Sequence, residues 1–372
     1  MARRLPMSRD TIPDRMKAAI LEAPFTIKLR SIPTPKPRFD EILLKVAACG
    51  ICGSDVRYFM GENPWSLHTL GIAESIPSNT ILGHEVSGLI VDVGSADLED
   101  MIGSRVGVIA FKSCGRCYYC SRGLHNLCGN MLHIGHDGRW MDRDYIPGGY
   151  AEYMPLWWDK AHPIPGSISF EEATQLDGLA VAVHAVGRAG IKPGDTVAVV
   201  GVGPIGLMIL QVARAMGACK VIALDVRGKP LEIARDLGAD SVLDVSRMSI
   251  DNALMKETGD IGVDVIFDTV CSESTILYCL KSLARRGRLI LVALSRLDIK
   301  LNLLYLSGER VVTSSSNNLY HEYTVAVDLL SSGRVRVKPF ITHIFKLDEV
   351  EEAFHVAIHK DEYEAIKIIL KP

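Results

Sequence analysis

At 372 residues the chain exceeds what one hydrophobic core usually supports, so two domains are expected. A composition of 48% apolar and 23% charged residues is that of a soluble globular protein, and a formal net charge of −3 argues against nucleic-acid or anionic-membrane binding. No uncharged apolar run reaches the roughly 18 residues of a membrane span, and MARRLPMSRDTIPDRMKAAIL lacks the continuous apolar region of a signal peptide, which together imply a cytoplasmic protein.

The strand pattern begins near Met16, so residues 1–15 read as an extension. Residues 17–110 read as β-rich: KAAILEA, EILLKVAACG and GHEVSGLIVDVG are short apolar runs broken by Pro and Gly. SFEEATQLDGLAVAVHAVGRAG then reads as one helix, with Ser169 as N-cap and Glu172 three positions on. From there strands alternate with helices: TVAVVG, a helix to about Gly217, KVIALD, a helix to about Gly238, then VDVIFDTV and RLILVALS. This alternation signals a doubly wound parallel α/β sheet. After about residue 325 the pattern is mixed, with helices at YTVAVDLLSSG and DEVEEAFHVAIHK and strands at ITHIF and AIKIIL. The expected organisation is a dinucleotide-binding domain, 187–325, inserted into a discontinuous domain made of 1–186 and 326–372.

Gly201-Val-Gly203-Pro204-Ile205-Gly206 follows a strand and opens a helix. Gly201 permits the tight turn, Gly203 lets a pyrophosphate approach the backbone, and Gly206 lets the helix pack on the strand. The helix N-terminus offers free N–H groups to the phosphates. KVIALD ends in Asp225, whose carboxylate suits the adenosine ribose hydroxyls and repels a 2′-phosphate, favouring NAD over NADP. Arg227 and Lys229 lie just beyond and are the groups that would instead hold a 2′-phosphate. The plainer alternative is an ordinary strand–helix turn.

Cys114, Cys117, Cys120 and Cys128 fall within one loop, and four thiolates so spaced can close a tetrahedral shell around a structural zinc ion. Cys52, His84 and Asp177 are scattered, and each taken alone also fits a plainer role: a core thiol, a satisfied histidine, a helix-surface carboxylate.

The motifs ICGSD, GHEVSG, the four-cysteine loop, GGYAEY, LAVAVHAV, GVGPIG and RLILVAL occur in one order over nearly the whole chain. In this the sequence resembles the zinc-containing medium-chain dehydrogenase/reductase family of alcohol, sorbitol and threonine dehydrogenases. The resemblance implies a β-rich, GroES-like catalytic domain beside the Rossmann domain, two zinc ions per chain, and hydride transfer between a secondary alcohol or polyol and NAD(P). It implies Cys52 and His84 as catalytic zinc ligands, with Asp177 or Glu85 as the third protein ligand. Asp55 would orient His84, Ser54 would contact the substrate oxygen and start a proton relay, and Lys367 would meet the pyrophosphate. Val292, in the RLILVAL turn, joins Lys229 in the implied cofactor set. Two positions depart from the family pattern: Arg57 stands where many relatives end the relay with histidine, and Pro230 where a basic residue is common, with Lys229 as its substitute. Cys49 matches no ligand and is expected to pack. Tyr58, Trp65, His136, Asp137 and Trp140 are expected to line the substrate pocket. A homo-oligomer, dimer or tetramer, is also expected. A ketone or aldehyde reductase of the same family, a non-catalytic nucleotide-binding protein and a zinc-ribbon nucleic-acid module are the alternatives. The intact Cys52, His84 and Ser54 set and the weakly basic flanks of the cysteine loop disfavour the last two.

Overall fold

The structure is a computed structural model that describes residues 12–140, 142–293 and 298–372. Residues 1–11 of the N-terminal extension and the end of RLILVALS lie outside the described residues. The chain divides into two compact units, Met1–Asp177 with Ile341–Pro372, and Gly178–Phe340. Both divisions differ from the sequence boundaries at 186/187 and 325/326. The helix Tyr320–Ser331 buries Tyr323, Ala326 and Leu330 within the second unit, and its Glu322 pairs with His184 there at 2.9 Å. Side-chain burial, not the change of pattern near 325, decides where that helix belongs.

The first unit is built on a mainly antiparallel sheet. Its strands run in the order Ala161–Pro163, Arg105–Val108, Glu85–Val93, Glu41–Ile51, Lys367–Lys371, Ile341–Lys346, with Tyr153–Trp157 also pairing with Glu41–Ile51. A second sheet joins Thr26–Pro33, Arg15–Ala23 and Thr80–Ile81. Register matters most at one end of the larger sheet. Gly50 lies opposite Glu85, and Ile51 lies opposite Ile368, so Cys52, Glu85 and Lys367 converge at the ends of three neighbouring strands. The C-terminal strand thus completes the same sheet end from which the ICGSD segment leaves.

The stretch read as one helix is two, Phe170–Ala173 and Leu176–Ala189. Ser169 caps the first as expected, its Oγ accepting from Glu172 N at 3.2 Å. The Thr174 hydroxyl then donates to the Glu171 carbonyl at 2.7 Å, a local bond that competes with continued helix.

The second unit carries six parallel strands in the order Ser241–Asp244, Lys220–Asp225, Thr196–Val200, Val263–Asp268, Leu283–Leu291, Val311–Ser314. Numbered within the unit this is 3-2-1-4-5-6, the doubly wound order in which the succession of strands reverses beside Thr196–Val200. Val197, Ala198, Val199 and Ile266 are fully buried, as strands covered by helices on both faces must be. No helix among the described residues is long and apolar enough to cross a membrane.

Candidate active site

The nucleotide loop grows from the central strand Thr196–Val200. Gly201 has φ +84°, and a Cβ there would meet Thr269 Oγ1 at 2.5 Å, so only glycine fits. A Cβ on Gly206 would lie 2.1 Å from the Gly201 carbonyl oxygen. A Cβ on Gly203, by contrast, would meet nothing within 4 Å, so its bareness leaves the space beyond the loop clear for a ligand. Gly203 is the N-cap of the helix Pro204–Ala215, and Pro204 takes the first position, where its missing N–H costs no bond. Ile205 follows in the first turn, half-buried. Asp225 ends the neighbouring strand. Its carboxylate accepts from Val202 N at 2.9 Å, Val226 N at 2.8 Å and Arg227 N at 3.0 Å, which holds an anion beside the loop. The Arg227 guanidinium lies 3.9 Å from that carboxylate, while Lys229 is directed to Glu232 at 3.5 Å. Val292 follows the strand Leu283–Leu291 and donates its N–H to the Asp268 carbonyl at 2.9 Å.

In the first unit, the ligand atoms of Cys52, His84 and Glu85 lie within 4.8 Å of one another. Cys52 is the extended N-cap residue of the short helix Gly53–Phe59, and His84 and Glu85 open the adjacent strand. His84 and Glu85 are buried and Cys52 is half-buried. Two buried polar atoms here, Ser54 Oγ and His84 Nδ1, have no hydrogen-bond partner among the described residues, while Glu85 Oε2 is paired with the Lys367 amine. Burial disfavours charge on His84, yet Asp55 and Cys52 outweigh it and hold its pKa well above the ordinary value. The surroundings therefore favour a positive charge at this point. Thiol, imidazole and carboxylate are the donor types of an open zinc site, and these residues fit that ion.

Asp177 stands outside this close group. It is half-buried, and burial pushes its carboxyl up to about 6, with His84, Glu85 and Lys367 near enough to influence it. Lys367 is buried. Its amine forms an ion pair with Glu85 and donates to the Ile51 carbonyl at 3.2 Å, so the structure directs it at the Glu85 carboxylate. Arg57 is paired with Glu62 at 2.7 Å, and a permanent cation so engaged offers no proton-relay terminus.

Asp55 is fully buried and is the hub of the site. Its Oδ2 accepts from Cys52 N at 2.8 Å and Tyr150 Oη at 2.9 Å, and its Oδ1 lies 3.2 Å from His136 Nε2 and 3.6 Å from His84 Nδ1. Burial alone would raise its pKa, but His84 and His136 hold it well below the usual carboxylate range. The residues expected to line the substrate pocket are instead packed away. Tyr58, Trp65, His136, Asp137 and Trp140 are each at most 6% exposed. Trp140 stacks on Trp157 at 4.7 Å, Asp137 pairs with Arg139 at 3.1 Å, and burial pushes His136 down to about 4, leaving it neutral. The contacts of His136 and Tyr150 with Asp55 had no local signature in the sequence, because each bond spans many residues. The only hint was the glycine pair before Tyr150, where a Cβ on Gly149 would meet Cys49 Sγ at 2.6 Å. Cys49 itself is fully buried.

The four loop cysteines also come together. Sγ–Sγ separations are 3.4 Å for Cys117–Cys120, 3.9 Å for Cys117–Cys128 and 4.0 Å for Cys114–Cys120. A tetrahedron with Zn–S bonds of about 2.3 Å has edges of about 3.8 Å, so the cluster is sized for zinc. The backbone N–H of Arg116 draws the Cys114 thiol down to about 6, toward the thiolate a metal requires.

A family model for the alcohol dehydrogenase GroES-like domain matches residues 38–166, and one for zinc-binding dehydrogenase matches residues 204–332. The chain is 31% identical over 363 residues to the sorbitol dehydrogenase of Bacillus subtilis (strain 168), covering 97% of this chain and 99% of that one. An Escherichia coli CFT073 alcohol dehydrogenase solved with NADH superposes with TM-score 0.86 at 28% identity, covering 97% of this chain and 100% of that one. A zinc-binding dehydrogenase from Sinorhizobium meliloti 1021, solved with NADP, superposes with TM-score 0.85 at 29% identity over the same shares. The chain belongs to the zinc-type medium-chain alcohol and polyol dehydrogenase family, and it is an oxidoreductase that uses zinc and a nicotinamide cofactor.

Proposed function

We propose that this enzyme oxidises a secondary hydroxyl of a polyol to the ketone with NAD, at a zinc ion held by Cys52, His84 and Glu85. The observation that carries this is the convergence of those three donors within 4.8 Å, behind which the Asp55 carboxylate is buried. Zinc bound there supplies Lewis acidity toward an alcohol oxygen. Ser54 Oγ, buried with no partner among the described residues, lies two residues after Cys52 and would take the substrate proton while passing its own on to solvent. Glu85 is favoured over Asp177 as third ligand because it belongs to the close group. Lys367 neutralises and orients the Glu85 carboxylate from behind.

A second, structural zinc ion sits among Cys114, Cys117, Cys120 and Cys128, supported by their near-tetrahedral spacing. NAD over NADP is supported by the Asp225 anion, with Arg227 as the group that offsets part of its repulsion. The polyol class is supported by the relative named for sorbitol. A homo-oligomer is supported by the edge strand Val311–Ser314, whose outer side has no strand partner among the described residues and whose Val311 is 49% exposed.

The test is a panel of polyols, 3-hydroxy amino acids and simple secondary alcohols with NAD and with NADP, on the native chain and on Cys52→Ser. The expected result is highest kcat/KM for a polyol with NAD. Cys52→Ser should lower turnover by about 1,000-fold or more while NAD affinity, read by fluorescence, stays near native. Retained turnover in Cys52→Ser would remove the catalytic zinc from this position.

A further inference from the structure

His136 has no part in the reading above, yet it is the group nearest the oxygen of Asp55 that faces His84. Asp55 Oδ2 is held by two donors, Cys52 N and Tyr150 Oη. Those two bonds leave Oδ1 to be held by other groups. Oδ1 has one partner within hydrogen-bond length, His136 Nε2 at 3.2 Å, since His84 Nδ1 is at 3.6 Å. A carboxylate only accepts, so His136 must donate through Nε2–H. Its ring is fixed in turn: it stacks on Tyr58 at 4.5 Å and 25°, and on His133 at 4.7 Å and 6°, and it meets the His84 ring edge-on at 4.4 Å. His133 is anchored through Nδ1, 2.8 Å from the Ile134 carbonyl. Asp55, His84 and His136 are also spaced as metal ligands are, but Asp55 already faces donors on both oxygens, which makes it a hydrogen-bond hub.

We propose that His136 is a positioning residue of the zinc site: its Nε2–H pins Asp55 Oδ1 in the place from which that carboxylate orients the His84 ring toward the metal. The inference rests on Cys52, His84 and Glu85 being the catalytic zinc site. Partners standing behind a metal ligand fix its ring orientation, and their loss typically costs 10–100-fold in metal affinity or activity.

Two variants separate the N–H from the ring. His136→Phe keeps a ring for the stack and removes the donor. His136→Gln removes the ring and keeps an amide N–H that reaches the same oxygen. The readout is zinc release from the full-length protein into a chromogenic chelator, where the four-cysteine zinc serves as internal reference and fold control. His136→Phe is expected to release one zinc ion about 10-fold faster or more, with the other at the native rate, while His136→Gln stays close to native for both. Native release from His136→Phe, or fast release from His136→Gln alone, would overturn the proposal in favour of ring packing. Faster loss of both zinc ions would also overturn it, in favour of a general folding role. A native protein whose zinc content is unchanged by Cys52→Ser would instead overturn the underlying zinc-site reading, a result visible before any His136 variant is measured.

Discussion

The proposed choice of NAD over NADP rests on a single carboxylate, that of Asp225. Its oxygens are held by the backbone N–H groups of Val202, Val226 and Arg227, which keep a negative charge where the second strand ends. Asp225→Ser removes that charge, and with it the repulsion of a 2′-phosphate, so the NADP to NAD ratio of kcat/KM should rise by about 10-fold or more. An unchanged ratio would assign cofactor choice to other residues. The two candidate third ligands differ at the same scale. Glu85→Gln should strip the catalytic zinc, whereas Asp177→Asn should retain it, as read by metal analysis of chelator-free preparations. Lys367 is buried against Glu85, and an unpaired buried cation costs about 3–5 kcal/mol, so Glu85→Gln is best paired with Lys367→Met to keep the fold intact. Zinc loss from Asp177→Asn alone would reverse the assignment.

At the scale of elements, the cysteine loop and the strand ends do different work. The loop between Lys112 and Leu132 carries only short 3-10 turns, and Tyr118, Tyr119 and Leu127 are exposed on it. With so little apolar burial of its own, its order would depend on the bonds to the proposed structural zinc. Cys114→Ser should therefore lower the melting temperature by on the order of 10 °C, because each kcal/mol shifts a domain of this size by about 2–4 °C. Turnover per folded molecule should survive. Lost turnover at an unchanged melting temperature would mean that this loop belongs to the chemistry. The loop was legible because its four ligands are local in sequence. The glycine loop was legible for the same reason: strand, glycines, helix and Asp225 follow one another within a single βαβ unit. The helix break at Thr174 was not, because a hydroxyl bonding to Glu171 leaves the apolar period on both sides undisturbed.

For the whole molecule, the expectation of assembly rests on the second unit. Its parallel sheet ends in Val311–Ser314, where Val311 and Val312 are 49% and 37% exposed, near Leu303 and Leu304 in sequence at 73% and 74%. An apolar edge strand left to water is prone to pair with another chain. The native protein is expected to sediment as a dimer or tetramer, and Val312→Lys should shift it toward monomer without changing zinc content. A native protein that is monomeric at micromolar concentration would show that this edge is tolerated in isolation.

The amino-acid sequence by itself determined the two-unit plan, the parallel nucleotide sheet, the glycine loop with its acid, and the four-cysteine site. Each of these is written in a local period or spacing, set by backbone geometry and by the reach of neighbouring side chains. Only tertiary structure decided the rest. Cys52 meets Glu85 because Gly50 pairs with Glu85 across two strands, and Lys367 joins them because the last strand returns beside Glu41–Ile51. His136 meets Asp55 across 81 residues, and the aromatic residues expected around a substrate are spent in the core. Strand register and burial depend on what the whole chain encloses, and no window of sequence contains that information.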